Sequence, residues 1–152
     1  MVYEQIALDF FADSIIGHQE SFKDCKVHYD GLVDSSITTI DFDLTLLYPD
    51  DKELKQHYEI RENADSKFWR DNKKKNFHLE LKSPIKNKKG KKKYGRKSKV
   101  VRLMVFQNIQ VGEKNFIAFR TFSGSGYQGY DLYFIIDNNG IVIDWTKTHF
   151  IF

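Results

Sequence analysis

The chain has 152 residues and a formal net charge of +3, and 41% of its residues are hydrophobic and 15% aromatic. This length and composition are typical of a single globular domain, residues 1–152, and exclude a mainly disordered chain. The sequence has no run of about 18 apolar residues that could span a membrane, and its lone cysteine, Cys25, excludes an internal disulfide and a cysteine metal cluster.

The first 16 residues do not resemble a signal peptide, because acidic residues interrupt their apolar positions and no basic region precedes them. Together with the lone cysteine, this favours a cytoplasmic location. Export after removal of a leader that preceded Met1 stays open.

Residues 3–15 predict an amphipathic helix that packs against the core. Its apolar positions recur at intervals of three and four residues: Tyr3, Ile6, Ala7, Phe10, Phe11 and Ile15. Glu4 and Asp9 lie toward its N-terminal half, where acids complement the helix dipole. Gly17 is a suitable end for the helix.

The middle of the chain gives mixed signals. Residues 27–33 predict a short strand, and residues 35–49 predict a longer one in which apolar side chains alternate with polar ones: Ile40, Phe42, Leu44 and Leu46. The stretch from Asp50 to Tyr58 favours a helix. Residues 76–82 predict a strand with three apolar side chains on one side: Phe77, Leu79 and Leu81.

The last third of the chain predicts four strands, at residues 98–111, 114–122, 130–137 and 140–152. The turns between them are short, so neighbouring strands should be antiparallel. The predicted fold class is therefore α+β, with an N-terminal helix packed on a curved antiparallel sheet and a long basic hairpin loop.

The final hairpin predicts a sheet that is apolar on both faces. If Ile136 pairs with Ile141 or with Ile143, one face carries Leu132, Phe134, Ile136, Ile141, Ile143 and Trp145. The opposite face carries Asp131, Tyr133, Ile135, Val142, Asp144 and Thr146. One helix can cover only one face, so the second needs a lid from residues 50–75, a dimer partner or a ligand.

This order of elements, a leading helix followed by a mixed middle and several long antiparallel strands, resembles the nuclear-transport-factor-2-like and cystatin-like folds. The resemblance concerns architecture, and no motif specific to those families is present. It implies a cavity between helix and sheet, which that superfamily uses in binding proteins and some isomerase-like enzymes.

Charge is unevenly distributed along the chain. Residues 1–70 carry a net charge of −8, residues 71–102 carry +12 and residues 103–152 carry −1. The segment 86–99 holds nine cations in fourteen residues and could bind a polyanion such as nucleic acid. The candidate contacts are Lys88, Lys89, Lys91, Lys92, Lys93, Arg96, Lys97 and Lys99. A solvated loop is favoured over nucleic-acid binding, because Tyr94 is its only aromatic residue.

Two short motifs have little support from their surroundings. Residues 41–45 fit D-x-D-x-T and resemble the nucleophile motif of haloacid-dehalogenase-like phosphatases, but that family's later motifs have no counterpart here. Residues 124–129 fit G-x-G-x-x-G but precede a strand instead of a helix. The five histidines lack metal-site spacing. No catalytic residue, metal or cofactor is predicted.

Three functions remain open. The first is a non-catalytic binding or interaction module, which uses the second sheet face for a homodimer, a protein partner or a small ligand. The second is polyanion binding through residues 86–99. The third is a small enzyme with a sheet-lined pocket, whose candidate residues are Asp131, Tyr133, Asp144 and His149.

Overall fold

The computed structural model describes residues 1–34, 44–62, 77–87, 100–123 and 128–151. These residues form an N-terminal helical segment packed on one open, mixed sheet of eight strands, which confirms the predicted α+β class. None of the helices in the described ranges has both the length and the apolar character needed to cross a membrane.

The first helix, α1, spans Tyr3–Phe10 and continues through a π-helical turn at Phe11–Ile15. Three of the six residues in the predicted apolar stripe have no exposed surface: Ala7, Phe11 and Ile15. The other three are partly buried against the core, and Leu8, which lies outside the predicted stripe, is fully buried. Glu4 departs from the pattern, because its carboxylate is buried and accepts a hydrogen bond from the backbone N–H of Asn108 at 2.8 Å.

The eight strands are β1 (Lys26–Tyr29), β2 (Val33–Asp34), β3 (Lys86–Asn87), β4 (Val100–Phe106), β5 (Ile109–Val111), β6 (Lys114–Ser123), β7 (Gln128–Asp137) and β8 (Val142–Ile151). A second helix, α2 (Lys52–Glu62), lies between β2 and β3 in the chain and confirms the helix predicted from Asp50. The strand order is β3-β1-β4-β6-β7-β8, with β2 also paired to β4 and β5 to β6.

The sheet is mixed instead of wholly antiparallel. Strands β4, β6, β7 and β8 are antiparallel neighbours, as the short turns predict. Strand β1 pairs in parallel with β3 and β4, and β2 pairs in parallel with β4. A long connection joins β1 to β4, so no tight turn forces these two strands to be antiparallel.

The basic segment does not form the loop of a hairpin. Strands β3 and β4 lie on opposite sides of β1 and both run parallel to it. Residues 88–99 therefore connect two parallel strands, and such strands require a crossover of about a dozen residues or more. Residues 88–99 themselves lie outside the described residues.

The two faces of the sheet form separate cores. The face that packs against α1, here called the first face, contributes side chains that include Leu103, Ile117, Phe119, Leu132, Phe134 and Ile136. The opposite, second face contributes Phe106, Ile109, Val111, Phe116, Ala118, Tyr133 and Ile135. This confirms that the sheet is apolar on both sides.

Residues 44–62, here called the lid segment, cover this second core. Leu44 and Leu54 are buried against it. The ring centroid of Tyr48 lies 6.1 Å from that of Phe116, and its hydroxyl oxygen lies 3.3 Å from Oγ1 of Thr146. Of the three predicted covers for the second face, the structure shows a lid, which begins before residue 50.

Two predicted strands differ from the structure. Residues 44–47 form a helical turn, in which Leu44 is buried and Leu46 is 63% exposed, whereas a strand would place both on one face. Residues 35–43 of that prediction lie outside the described residues.

The strand predicted at 76–82 is reduced to a single bridge between Leu32 and His78. Three apolar side chains nevertheless pack against the first core, as their alternation predicts: Phe77, Leu79 and Leu81.

The predicted register of the final hairpin holds along most of it and fails next to the turn. From Gln128 to Ile135 the pairing is the one in which Ile136 would lie opposite Ile143, but the register shifts between Ile135 and Ile136, and Ile136 pairs with Val142. An irregularity of this kind inserts one residue into β8 and reverses the alternation of its side chains. Val142 therefore packs with Trp145 against the first core, while Ile141 and Ile143 are more than half exposed.

Candidate functional site

A pocket of about 310 Å³ lies on the first face of the sheet, where β4 begins and β6 ends. Four strands contribute to its lining, which includes Val101, Thr121, Ser123, Gly129, Tyr130 and His149. Cross-strand pairing explains why these side chains meet. Val101 lies opposite Ser123, Thr121 opposite Tyr130, and Tyr130 opposite His149, and paired residues share a face.

The segment after α1 supplies another wall of the pocket. A 3-10 turn at Glu20–Phe22 brings Ser21 and Phe22 to the lining, and Cys25 follows. Phe22 is 1% exposed, and its ring contacts Phe11 edge-on with centroids 5.4 Å apart. Burial of this ring against the helical segment thus holds the wall in place.

Tyr130 is the central aromatic residue of the pocket. Its ring centroid lies 5.7 Å from that of Phe22 and 5.0 Å from the imidazole of His149, which is tilted by 31°. The ammonium nitrogen of Lys147 lies 4.9 Å from the same centroid, within the range of a cation–π contact. Lys147 Nζ also donates a hydrogen bond to Ser21 Oγ at 2.5 Å.

Thr121 fixes the backbone of Tyr130. Its hydroxyl oxygen accepts a hydrogen bond from the N–H of Tyr130 and donates one to the carbonyl oxygen of Tyr130, both at 3.0 Å. A hydroxyl can make both bonds because it has one donor and two acceptor positions. The side chain of Thr121 therefore takes part in the hydrogen bonding between β6 and β7 at the pocket.

The chemistry of the pocket is suited to binding. It combines apolar and aromatic surface with hydroxyl groups, the Cys25 thiol and the His149 imidazole, while Lys147 supplies a positive charge beside Tyr130. A few polar groups at an apolar surface are typical of small-molecule sites. Across the ranges that the structure describes, no group of three or more His, Cys, Asp or Glu side chains could hold a metal ion.

The four residues predicted for an enzyme pocket lie on two faces of the sheet. Asp131, Tyr133 and Asp144 belong to the second face, whereas His149 lines the pocket on the first face. The carboxylate of Asp131 accepts two hydrogen bonds from Arg120, at 2.8 and 3.0 Å. Tyr133 is 1% exposed in the second core. The sheet thus separates the imidazole from the two acids.

Asp144 is associated with the lid segment. Burial raises the pKa of the Tyr48 hydroxyl, the hydrogen bond with Thr146 opposes this effect, and the nearby charge of Asp144 raises the pKa further. Tyr48 consequently stays protonated at neutral pH and remains available to bridge the lid segment to β8.

The eight cations predicted to contact a polyanion lie outside the described residues. The structure shows where their segment ends: Val100, the first residue of β4, lines the pocket. Ser123 and Gln128, the described residues on either side of positions 124–127, also line the pocket.

Among the lining residues, only His149 is predicted from the sequence as a candidate site residue. The sequence predicts a strand at Tyr130 and no helix or strand at Phe22. The alternation of side chains shows which residues of each strand share a face of the sheet. Whether Thr121, Tyr130 and His149 lie next to one another depends on the registers of β6, β7 and β8. A β-branched threonine opposite an aromatic residue is an ordinary cross-strand pair and gives no signal of a pocket.

No protein-family model matches this chain, and no curated protein or solved structure is significantly similar to it.

Proposed function

We propose that this protein is a non-catalytic binding module whose pocket takes a small, planar, anionic ligand. One observation carries the proposal: Tyr130 lines a pocket of about 310 Å³, and three side chains lie close to its ring. These are the aromatic Phe22, the imidazole of His149 and the ammonium group of Lys147.

The size and the lining of the pocket support a small ligand. Its volume lies near the lower end of the range of about 300–1,000 Å³ for ligand pockets. An aromatic ligand could stack on Tyr130 or His149, since offset and edge contacts between rings are favourable. Lys147 and His149 would lie close to a carboxylate on such a ligand, and a charge-assisted hydrogen bond would orient it.

The arrangement of polar groups favours binding over catalysis. The hydroxyl of Thr121 bonds the backbone of Tyr130, and that of Ser21 accepts from Lys147, so both maintain the shape of the pocket. Asp131 and Asp144 are separated from His149 by the sheet. A carboxylate–imidazole pair, which would orient a general base, is therefore not built from these residues.

Binding of 1-naphthoate, compared with the uncharged 1-naphthalenemethanol, tests the proposal. We expect the carboxylate to bind more tightly, because only the carboxylate can pair with Lys147. Lys147→Met should abolish the difference between the two compounds without preventing binding of the alcohol. Calorimetry gives both affinities, and circular dichroism checks that the variant is folded.

Matched tryptophan variants locate the site. Ser123→Trp should fill the pocket and remove binding of both compounds, since Ser123 lines it. Arg102→Trp adds the same side chain at an exposed position on the opposite face of the sheet and should leave binding unchanged. Equal affinities of both variants for naphthoate would contradict the proposal.

Polyanion binding through residues 86–99 is the second candidate. The observation in its favour is that Val100, the residue that follows this segment in the chain, lines the pocket, and that Lys147 lies beside Tyr130 on the same face of the sheet. Cations of the segment would then bind a phosphate backbone together with Lys147.

Salt dependence tests this second candidate. The affinity for a fluorescent 20-nucleotide single-stranded DNA should fall about 300-fold or more between 50 and 200 mM salt if six or more phosphates are neutralised. The variant replaces residues 88–99 with a Gly/Ser segment of equal length, because the connection must still join two parallel strands. Undiminished affinity in that variant would contradict polyanion binding by this segment.

A further inference from the structure

One row of side chains crosses the second face of the sheet from edge to edge. Six strands contribute one residue each, and every neighbouring pair in the row consists of direct Cα partners. At a strand spacing of about 4.8 Å the row is about 24 Å long. From β3 to β8 its members are Lys86, His28, Arg102, Phe122, Gly129 and Phe150.

This cross-strand row lies beyond the core that the lid segment covers. On β6, that core includes Phe116 and Ala118 near the start of the strand. Phe122 follows them at even spacing, so it lies on the same face, but near the end of the strand. Lys86 and Arg102 are exposed, and both phenylalanine rings of the row are partly exposed. This end of the second face is therefore accessible to a ligand.

One half of the cross-strand row carries positive charge. Lys86 and Arg102 lie on either side of His28, and neither cation forms an ion pair with a carboxylate in the described ranges. The next row differs, because Arg120 lies directly opposite Asp131 and donates to both of its carboxylate oxygens, at 2.8 and 3.0 Å. An anion from outside the chain would stabilise Lys86 and Arg102 as Asp131 stabilises Arg120.

The other half of the cross-strand row is aromatic. The ring centroids of Phe122 and Phe150 lie 5.8 Å apart, with an angle of 76° between the rings. Gly129 lies between them, and the ring of Phe150 covers it, because a Cβ built there would lie 2.9 Å from that ring. The guanidinium carbon of Arg120 lies 5.3 Å from the centroid of Phe150, within cation–π range. Aromatic surface thus lies directly beside positive charge.

We propose that the cross-strand row binds single-stranded nucleic acid, with phosphates at Lys86 and Arg102 and bases against Phe122 and Phe150. A single strand supplies both kinds of group, since its backbone is anionic and its unpaired bases expose flat faces. Proteins that bind single strands combine a positively charged surface with aromatic side chains on which bases stack. A duplex does not fit, because its bases are enclosed in the helical stack.

The proposed site is independent of the pocket around Tyr130, which lies on the first face of the sheet. Failure of naphthoate to bind would therefore leave this proposal unaffected. The site also uses side chains that residues 88–99 do not supply. Substitutions at Arg102 and Phe122 distinguish it from polyanion binding by the basic segment, because they leave every cation of that segment in place.

A fluorescent strand of 12 thymidylates, compared with an abasic strand of equal length, separates stacking from charge. The two strands carry the same backbone charge, so we expect tighter binding of the thymidylates because only they have bases. Phe122→Leu should weaken thymidylate binding by about 5-fold or more, as for the loss of one stacked base, and leave binding of the abasic strand unchanged. Fluorescence anisotropy gives the affinities, and circular dichroism checks that the variant is folded.

Phe10→Leu is the matched control for the aromatic half. Phe10 is also partly buried, but it packs against the first core, so its replacement should leave both affinities unchanged.

Salt dependence tests the positive half of the cross-strand row. Arg102→Gln removes one phosphate contact and should lower the slope of log affinity against log salt concentration by about 0.7, the value for one contact with a single strand. Lys55→Gln removes the same charge from an exposed position on α2 and should leave the slope unchanged.

Three results would overturn the proposal. One is the absence of measurable binding of the thymidylates at 50 mM salt. Another is equal affinity for the thymidylate and abasic strands, since the bases would then make no contact. The third is an Arg102→Gln variant with the affinity and salt slope of the unmodified chain, which is the pattern expected if residues 88–99 alone hold the strand.

Discussion

At the scale of single residues, Gly129 allows β6 and β7 to approach each other closely at the edge of the pocket. A Cβ atom built on Gly129 would lie 1.7 Å from the carbonyl oxygen of Thr121 and 2.9 Å from the ring of Phe150. The backbone of β6 approaches closely here, where the hydroxyl of Thr121 bonds both backbone groups of Tyr130. Only glycine leaves room for this approach.

Gly129→Ala should therefore destabilise the protein, by about 1–3 kcal/mol as for other overpacked sites. The clash is with backbone, which cannot move aside as a flexible side chain can. Gly17→Ala is the control, because a Cβ there would meet no atom within 4 Å. Urea denaturation should show a lower midpoint for Gly129→Ala only. Equal midpoints would mean that β6 and β7 can move apart to admit the methyl group without a loss of stability.

Asp51 makes one hydrogen bond within the lid segment and one to the sheet. Its carboxylate accepts from the N–H of Leu54, which caps the start of α2, and from Lys114 Nζ, both at 3.0 Å. Burial raises the pKa of this carboxyl, but the hydrogen bonds from Leu54, Lys114 and the N–H of Glu53, together with the charge of Lys114, outweigh burial and hold the pKa below its ordinary value of 3.8.

A lowered pKa means that the charged form of Asp51 stabilises the fold. This contribution is complete above pH 3.8 and is lost as the pH falls through the lower pKa of the folded state. Asp51→Ala should reduce the free energy of unfolding by about 1 kcal/mol at neutral pH. Asp51→Asn keeps the cap and should cost less.

Denaturation over a range of pH measures this effect. The difference in stability between the unmodified chain and Asp51→Asn should be present at neutral pH and should disappear in acid. A difference that persists unchanged below the pKa of the folded state would show that the charge of Asp51 is not its cause.

At the scale of elements, the lid segment turns a two-faced sheet into a structure with two cores. Leu54 on α2 is 2% exposed and packs against the second face, whereas Leu46 in the preceding turn is 63% exposed. Tyr48 adds its contacts with Phe116 and Thr146. These contacts predict that the lid segment contributes strongly to stability.

Leu54→Ala should lower the free energy of unfolding by about 2–5 kcal/mol, the range for a leucine removed from a core. Leu46→Ala removes the same atoms from an exposed position and should change it by no more than about 0.5 kcal/mol. Thermal denaturation of both variants makes the comparison. A similar, small loss for both would indicate that the lid segment packs only loosely on the second face.

The sequence predicts these elements where side-chain periodicity is decisive. Helix α1 and strands β6, β7 and β8 follow their apolar spacing. The prediction fails at residues 44–47, where four residues fit a strand as well as a helical turn. It also fails between Ile143 and the turn, because an inserted residue in a strand leaves no mark on composition and yet reverses the side chains that lie between it and the turn.

At the scale of the whole molecule, the parallel strands and the pocket depend on contacts between distant parts of the chain. Periodicity identifies β1 but does not show that it lies between β3 and β4. In the same way, it predicts a strand at His149 and no element at Phe22, and it does not show that both lie beside Tyr130. The resemblance to nuclear-transport-factor-2-like and cystatin-like folds therefore stays a prediction.

Chemical-shift mapping on ¹⁵N-labelled protein titrated with 1-naphthoate tests most directly the proposal that the pocket around Tyr130 binds a small planar anion. We expect saturable shifts at Val101, Thr121 and His149, with Ala118 on the second face unaffected. Shifts centred on Ala118 and its neighbours in the second core, or no saturable shift at the pocket, would contradict it.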